Sequence, residues 1–129
     1  MWGKRKGVEN LQKRSLGLAG EEFAAKVVTE ARLRVLVRNY RCPKGEIDLI
    51  AQDEDKIVFI EVRGRSSGLR GWGEESVTGS KQRRLRAVAS HYLLAQGYRD
   101  YPPLRFDVLA LRWKDGETVP EVKWLKGVF

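Results

Sequence analysis

Apolar residues recur at two different spacings along this chain, and the change from one to the other divides it into elements. From about Leu16 to Ala31, the positions Leu16, Ala19, Phe23, Ala24, Val27 and Val28 fall mostly three and four apart, which predicts a helix. Leu33 to Tyr40 is rich in β-branched and apolar residues and predicts a strand, ended by the turn-prone Cys42-Pro43-Lys44-Gly45. Two more strands follow closely, Glu46 to Gln52 and Ile57 to Val62, joined by the polar stretch Asp53-Glu54-Asp55-Lys56. Gly64 to Gly79 holds five glycines among small and charged residues, which predicts a long loop. Helical spacing returns at Leu85, Val88, Ala89, Tyr92 and Leu93, with Ser80 as a cap and Gly97 as a stop. Pro102 and Pro103 introduce a strand from Leu104 to Trp113, and Glu121 to Leu125 forms a short last strand after Lys114-Asp115-Gly116 and Pro120. The order is αβββαββ, an α/β pattern.

The two middle strands form a hairpin whose register follows from its turn. On one face Ala51 meets Val58, Leu49 meets Ile60 and Ile47 meets Val62, an apolar surface expected to lie against the core. The other face pairs Ile50 with Phe59, Asp48 with Glu61 and Glu46 with Arg63, so two carboxylates stand opposite each other. Like charges at facing positions destabilise a sheet, so something must compensate them. A hard divalent cation is one compensation, because magnesium and its relatives take oxygen ligands. A solvated sheet face with one acid partly protonated or paired to an arginine is the other.

Composition narrows the chemistry. A single cysteine, Cys42, and a single histidine, His91, exclude an internal disulfide framework and a Cys/His zinc cluster, so any metal must be held by carboxylates. No apolar run approaches the roughly 18 to 20 residues needed to span a bilayer, and the start lacks a signal-peptide core, which predicts a cytoplasmic protein. The formal charge of +8 is concentrated: residues 1–14 carry +4 and residues 63–86 carry +5, while 15–62 carry −2 and 87–129 carry +1. Residues 1–14 lack an apolar period and read as a flexible basic arm, with 15–129 as one domain. Two basic segments beside a carboxylate-bearing hairpin suit a phosphate-backbone binder with an acidic centre. A solvated basic surface accounts for the charge equally well.

The strings Gly45-Glu46-Ile47-Asp48-Leu49-Ile50 and Phe59-Ile60-Glu61-Val62-Arg63-Gly64-Arg65 resemble the core motif of the restriction-endonuclease-like superfamily, PD-(D/E)XK. More narrowly, the chain resembles the YraN-like family of small bacterial endonuclease-like proteins. The similarity takes in Gly20-Glu21, Arg38-Asn39-Tyr40, Lys81 and Arg105-Phe106-Asp107, and covers nearly everything after residue 15. It implies an αβββαβ core with a mixed sheet flanked by helices. It also implies a metal-dependent endonuclease acting on DNA phosphodiesters, with Mg2+ or Mn2+ as cofactor. Asp48, Glu61 and the Val62 carbonyl would bind the ion, and Glu21 would act through water. Archaeal Holliday-junction resolvases have a similar arrangement of acids, which points to structured or branched DNA as a candidate substrate.

One position departs from that motif: its lysine is Arg63 here. Lysine can lower its pKa and assist a water, whereas arginine stays protonated and stabilises charge only. Lys81 is a candidate to take over the role, with a phosphate contact or a solvated helix face as the alternative. DNA contacts are expected from Lys4, Arg5, Lys6, Arg65, Arg70, Arg83 and Arg84. Trp72 either stacks on an unpaired base or packs on the domain. Glu46 is expected to support the site through Arg63, and Asp107 with Arg105 to orient or stabilise structure. Cys42 and His91 are read as ordinary positions. A catalytically degenerate DNA-binding module and an interaction protein within a DNA-processing assembly remain as alternatives from other classes, and the oligomeric state, a homodimer included, is left open.

Overall fold

The computed structural model describes residues 19–65 and 77–129. Residues 19–30 are helical (α1), followed by strands β1 (Arg34–Cys42), β2 (Gly45–Asp53) and β3 (Lys56–Arg65), helix α2 (Gly79–Ala95), and strands β4 (Leu104–Arg112) and β5 (Glu121–Leu125). This is the order expected from the spacing of apolar residues. The five strands form one sheet in the order β1-β2-β3-β4-β5; β3 and β4 run parallel and every other neighbouring pair runs antiparallel. A parallel pair needs a crossover, and α2 lies within the one that joins β3 to β4. No helix among the described residues is long and apolar enough to cross a membrane.

Both faces of the sheet are covered. Leu49, Ala51, Val58, Ile60, Leu109 and Leu111 pack with Ala24, Ala25 and Val28 of α1. Ile50, Ile57, Phe59, Phe106 and Val108 pack with Leu85, Val88, Ala89, Tyr92 and Leu93 of α2. The hairpin face expected to carry the acids together with Ile50 and Phe59 therefore supplies core residues too, as a sheet between two helical layers requires.

The hairpin turn is tight, with Glu54 at φ +57°, and fixes the expected register: Asp53 faces Lys56, Ala51 faces Val58 and Leu49 faces Ile60. Beyond Leu49 and Ile60 the register departs from expectation. β2 stays with β1, through Ile47 against Tyr40 and Glu46 against Arg41, while β3 stays with β4, through Glu61 against Val108 and Arg63 against Ala110. The sheet thus forks, and the expected facing pairs Ile47–Val62, Asp48–Glu61 and Glu46–Arg63 are absent from the ladder. Ile47 also changes side, joining Ile50 in the α2 cluster rather than Leu49 in the α1 cluster. Its partner Tyr40 joins Val37 in the α2 cluster in the same way, three residues apart, with Asn39 between them at φ +56°. A left-handed residue inside a strand breaks the period of two; the pairing of β1 with β2 stays in register across Asn39 and shifts instead between Val35 and Val37.

The caps of α2 explain where it begins and ends. Thr78, not Ser80, is its N-cap and accepts from the Lys81 N–H at 3.3 Å. Ser80 already lies inside the helix. At the other end Gly97, at φ +87°, donates to the Leu94 carbonyl and Tyr98 donates to that of Leu93, a Schellman closure consistent with the expected stop.

Candidate metal centre

Asp48 and Glu61 lie on opposite prongs of the fork. Where β2 leaves β3, the amide of Val62 has no strand partner, and it donates instead to Asp48 Oδ2 at 2.7 Å. The carboxylate thus replaces a backbone carbonyl in satisfying a donor that burial would otherwise leave unpaired. An extended residue presents its N–H and C=O on one strand edge, so the Val62 carbonyl faces the same opening.

Burial pushes the Asp48 carboxyl up to about 6; the Val62 amide opposes the rise, and the charges of Glu21, Glu61 and Glu46 add to it. Glu21, on α1, is thus near enough to the fork for its charge to act on Asp48. Gly20 beside Glu21 lies against the sheet, where a Cβ would make ordinary contact with Leu111 at 3.4 Å and the Trp113 ring at 3.7 Å. Among the described residues no three acidic, histidine or cysteine side chains gather closely enough to hold an ion, and the carboxylates that line the cleft at the fork are those of Glu46, Asp48 and Glu61.

Glu61 is held from two directions. Its Oε2 accepts from Arg63 Nε at 3.2 Å and from Lys81 Nζ at 2.5 Å. Lys81 reaches it from the first turn of α2, which brings its ammonium to the cleft at Glu61. Arg63 and Lys81 therefore supply part of the compensation that facing carboxylates demand. The other oxygen, Glu61 Oε1, is buried and has no hydrogen-bond partner. An unsatisfied buried acceptor is costly, and here it belongs to a carboxylate whose charge acts on Asp48 and that lines the same cleft. Two carboxylates and a carbonyl make a donor set of hard oxygens, which fits a magnesium-like cation.

A cleft of about 520 Å³ opens beside the pair, lined by Arg41, Cys42, Gly45, Glu46, Ile47, Asp48, Glu61, Lys81, Arg84 and Leu85. Glu46 does not support Arg63, as the register had suggested. It pairs with Arg41 at 3.2 Å, because this end of β2 follows β1. Arg83 and Arg84 are exposed on α2, and only Arg84 of the two lines the cleft. Lys4, Arg5, Lys6, Arg70, Trp72 and the Arg65 side chain lie outside the described residues.

Asp107 is buried away from the cleft and accepts from Arg105, from Trp124 Nε1 at 2.9 Å and from the Gly127 amide at 2.9 Å, while Arg105 also reaches Asp53 at 3.1 Å. Of the structural and orienting roles expected of this pair, these bonds give it the structural one. His91 is less ordinary than its sequence context suggested, since its Nδ1 shares a 2.9 Å hydrogen bond with the Tyr40 hydroxyl and ties α2 to β1. Arg41 and Gly45 are cleft residues that the sequence did not single out. The turn-like Cys42-Pro43-Lys44-Gly45 marked a bend there but nothing about what packs over it.

Residues 20–111 match the model of a family described as "Uncharacterised protein family UPF0102", and the chain belongs to that family. It is 50% identical to a UPF0102 protein of Desulfitobacterium hafniense strain Y51 over 117 residues, covering 90% of this chain and 97% of that protein. A UPF0102 protein of Moorella thermoacetica is 44% identical over 119 residues, covering 92% of this chain and 98% of its own length. One from Nitrosococcus oceani is 40% identical over 116 residues, covering 90% and 92%.

Proposed function

We propose that this protein is a metal-dependent endonuclease of the PD-(D/E)XK type that hydrolyses DNA phosphodiesters. The observation that carries the reading is the fork, where Asp48 and Glu61 converge and Glu61 Oε1 is buried without a hydrogen-bond partner. Asp48, Glu61 and the Val62 carbonyl would hold Mg2+ or Mn2+. When bound, the ion supplies Lewis acidity toward a phosphate oxygen and makes water a better nucleophile.

The chain's own groups do the rest. The Val62 amide fixes one Asp48 oxygen, and Arg63 and Lys81 fix one Glu61 oxygen, so the remaining carboxylate oxygens are oriented in advance. Lys81 and Arg63 also keep positive charge beside the place where a phosphate would gain negative charge. Glu21 and Glu46 deepen the negative potential that favours a cation at the pair. Structured or branched DNA is the substrate class this reading favours, by analogy with junction resolvases.

Arg63 favours a second reading, a DNA-binding module that has kept the fold and lost the chemistry. Its guanidinium sits on Glu61 at 3.2 Å, where it can hold charge but cannot accept a proton. One experiment separates the two: incubation with linear, single-stranded, flapped and four-way DNA in magnesium and in manganese. Cleavage that needs the ion and disappears in Asp48→Asn supports the nuclease. DNA binding without cleavage of any substrate overturns it in favour of the binding module.

A further inference from the structure

The cleft beside the carboxylate pair has two walls, the β1–β2 turn and the first turns of α2, and each carries an arginine that the metal centre does not use. Arg84 lies three residues after Lys81, so the two share one face of α2. Among the described residues no carboxylate pairs with Arg84. Its stem crosses Gly45: a Cβ built on that glycine would stand 3.3 Å from Arg84 Cγ and 3.2 Å from Val88 Cγ2. Gly45 also has φ +141°, a conformation that side chains rarely adopt. The glycine thus leaves room for the arginine stem to lie flat on the turn at the cleft wall.

Arg41 stands on the other wall. Its partner Glu46 is 3.2 Å away, but the two side chains are 77% and 68% exposed, so the pair is screened by water and worth little. Such a pair exchanges readily for a stronger one. A polyanion entering this cleft meets three carboxylates, Glu46, Asp48 and Glu61, and Lys81 is already engaged with Glu61. Arg84 and Arg41 are the lining cations left to offset that repulsion, and guanidinium matches phosphate through paired N–H donors.

We propose that Arg41 and Arg84 form a phosphate subsite in the cleft, which takes a backbone phosphate of the nucleic-acid strand next to the one at the Asp48–Glu61 fork. The proposal deepens the nuclease reading and rests on it for the identity of the ligand. It sets the path of the strand, along the cleft between α2 and the β1–β2 turn.

The test is a salt titration of the affinity of the full chain for a labelled single-stranded oligonucleotide, in EDTA so that nothing is cut. Each phosphate neutralised on a single strand contributes about 0.7 to the slope of log K against log salt. Arg84→Gln should flatten the slope by about that amount, and Arg41→Gln with Arg84→Gln by more. A control that removes two exposed charges elsewhere, Arg34→Gln with Arg99→Gln, should leave the slope unchanged. An unchanged slope in the cleft variants overturns the proposal, as does equal flattening in the control. Equal weakening of heparin binding by the cleft variants also overturns it, because it would show an unselective anion patch. A wild-type protein that cuts DNA while the cleft variants keep its slope refutes the subsite alone. Cleft variants with a flattened slope in a protein that cuts nothing uphold the subsite and refute the nuclease reading.

Discussion

Asp48 couples two properties that can be measured separately. Its carboxyl titrates near 6, above the ordinary 3.8, so the native state holds this proton more tightly than the unfolded chain. The sign follows: the group costs nothing below about pH 4, the cost grows between about 4 and 6, and it is complete above 6, at roughly 3 kcal/mol or less. Asp48→Asn should therefore melt higher than the wild type at pH 7.5 in EDTA, with the difference shrinking toward pH 4; a difference independent of pH would disprove the assignment. Arg63 invites the complementary substitution. If its guanidinium only holds charge, Arg63→Lys should raise metal-dependent cleavage, by as much as the roughly 10² to 10⁴ typical of acid–base assistance, with little change in affinity. If Lys81 already supplies that assistance, Arg63→Lys changes little and Lys81→Ala abolishes cleavage. Activity indifferent to both would remove these residues from the reacting phosphate. Glu21 and Lys81, on helices, were singled out only through the family resemblance, whereas Asp48, Glu61 and Arg63 were legible in the sequence from a motif and a strand period. The bond from the Val62 amide to Asp48 was not, since it exists only because the ladder stops.

The elements follow local rules, and the fork is where those rules fail. Regular pleating predicts Ile47 beside Leu49 and Asp48 opposite Glu61, and neither holds past Leu49 and Ile60. The left-handed backbone at Asn39 breaks the period in β1, and Tyr40 and Ile47 turn together toward α2. No periodicity argument on β2 and β3 alone could reveal that β2 stays with β1 while β3 stays with β4. The helix cap was misplaced for a simpler reason: Thr78 and Ser80 are both good caps, and only the bond to the Lys81 amide distinguishes them. Helix α1 offers a test of how Glu21 is brought to the site. A Cβ on Gly20 would make ordinary contact with Leu111, and alanine gains about 1 kcal/mol of helix propensity over glycine, so Gly20→Ala should be neutral or stabilising. Gly20→Leu must push α1 away from Leu111 and Trp113, and should cost about 1 to 3 kcal/mol in denaturant unfolding. Equal stability of the two variants would show that α1 does not dock closely there.

The whole molecule combines a carboxylate centre with charge gathered in residues 1–14 and 63–86. Affinity for DNA should therefore fall steeply with salt. Deleting residues 1–14 should flatten the slope on duplex DNA by about 0.9 for each phosphate that the arm neutralises, and a slope that deletion leaves untouched would put the DNA elsewhere. The three-layer arrangement brings Lys81 of one helical layer onto Glu61, and Glu21 of the other near enough for its charge to act on Asp48. That arrangement makes cation binding at Asp48 and Glu61 the claim on which the rest depends, and calorimetric titration with Mn2+ tests it most directly. The wild type should bind the ion at pH 7.5 and lose affinity below about pH 6, as Asp48 takes up its proton. Asp48→Asn should abolish that binding while holding DNA equally or more tightly, since one negative charge facing the phosphates is gone. Mn2+ affinity unchanged by the substitution would contradict the proposed metal centre.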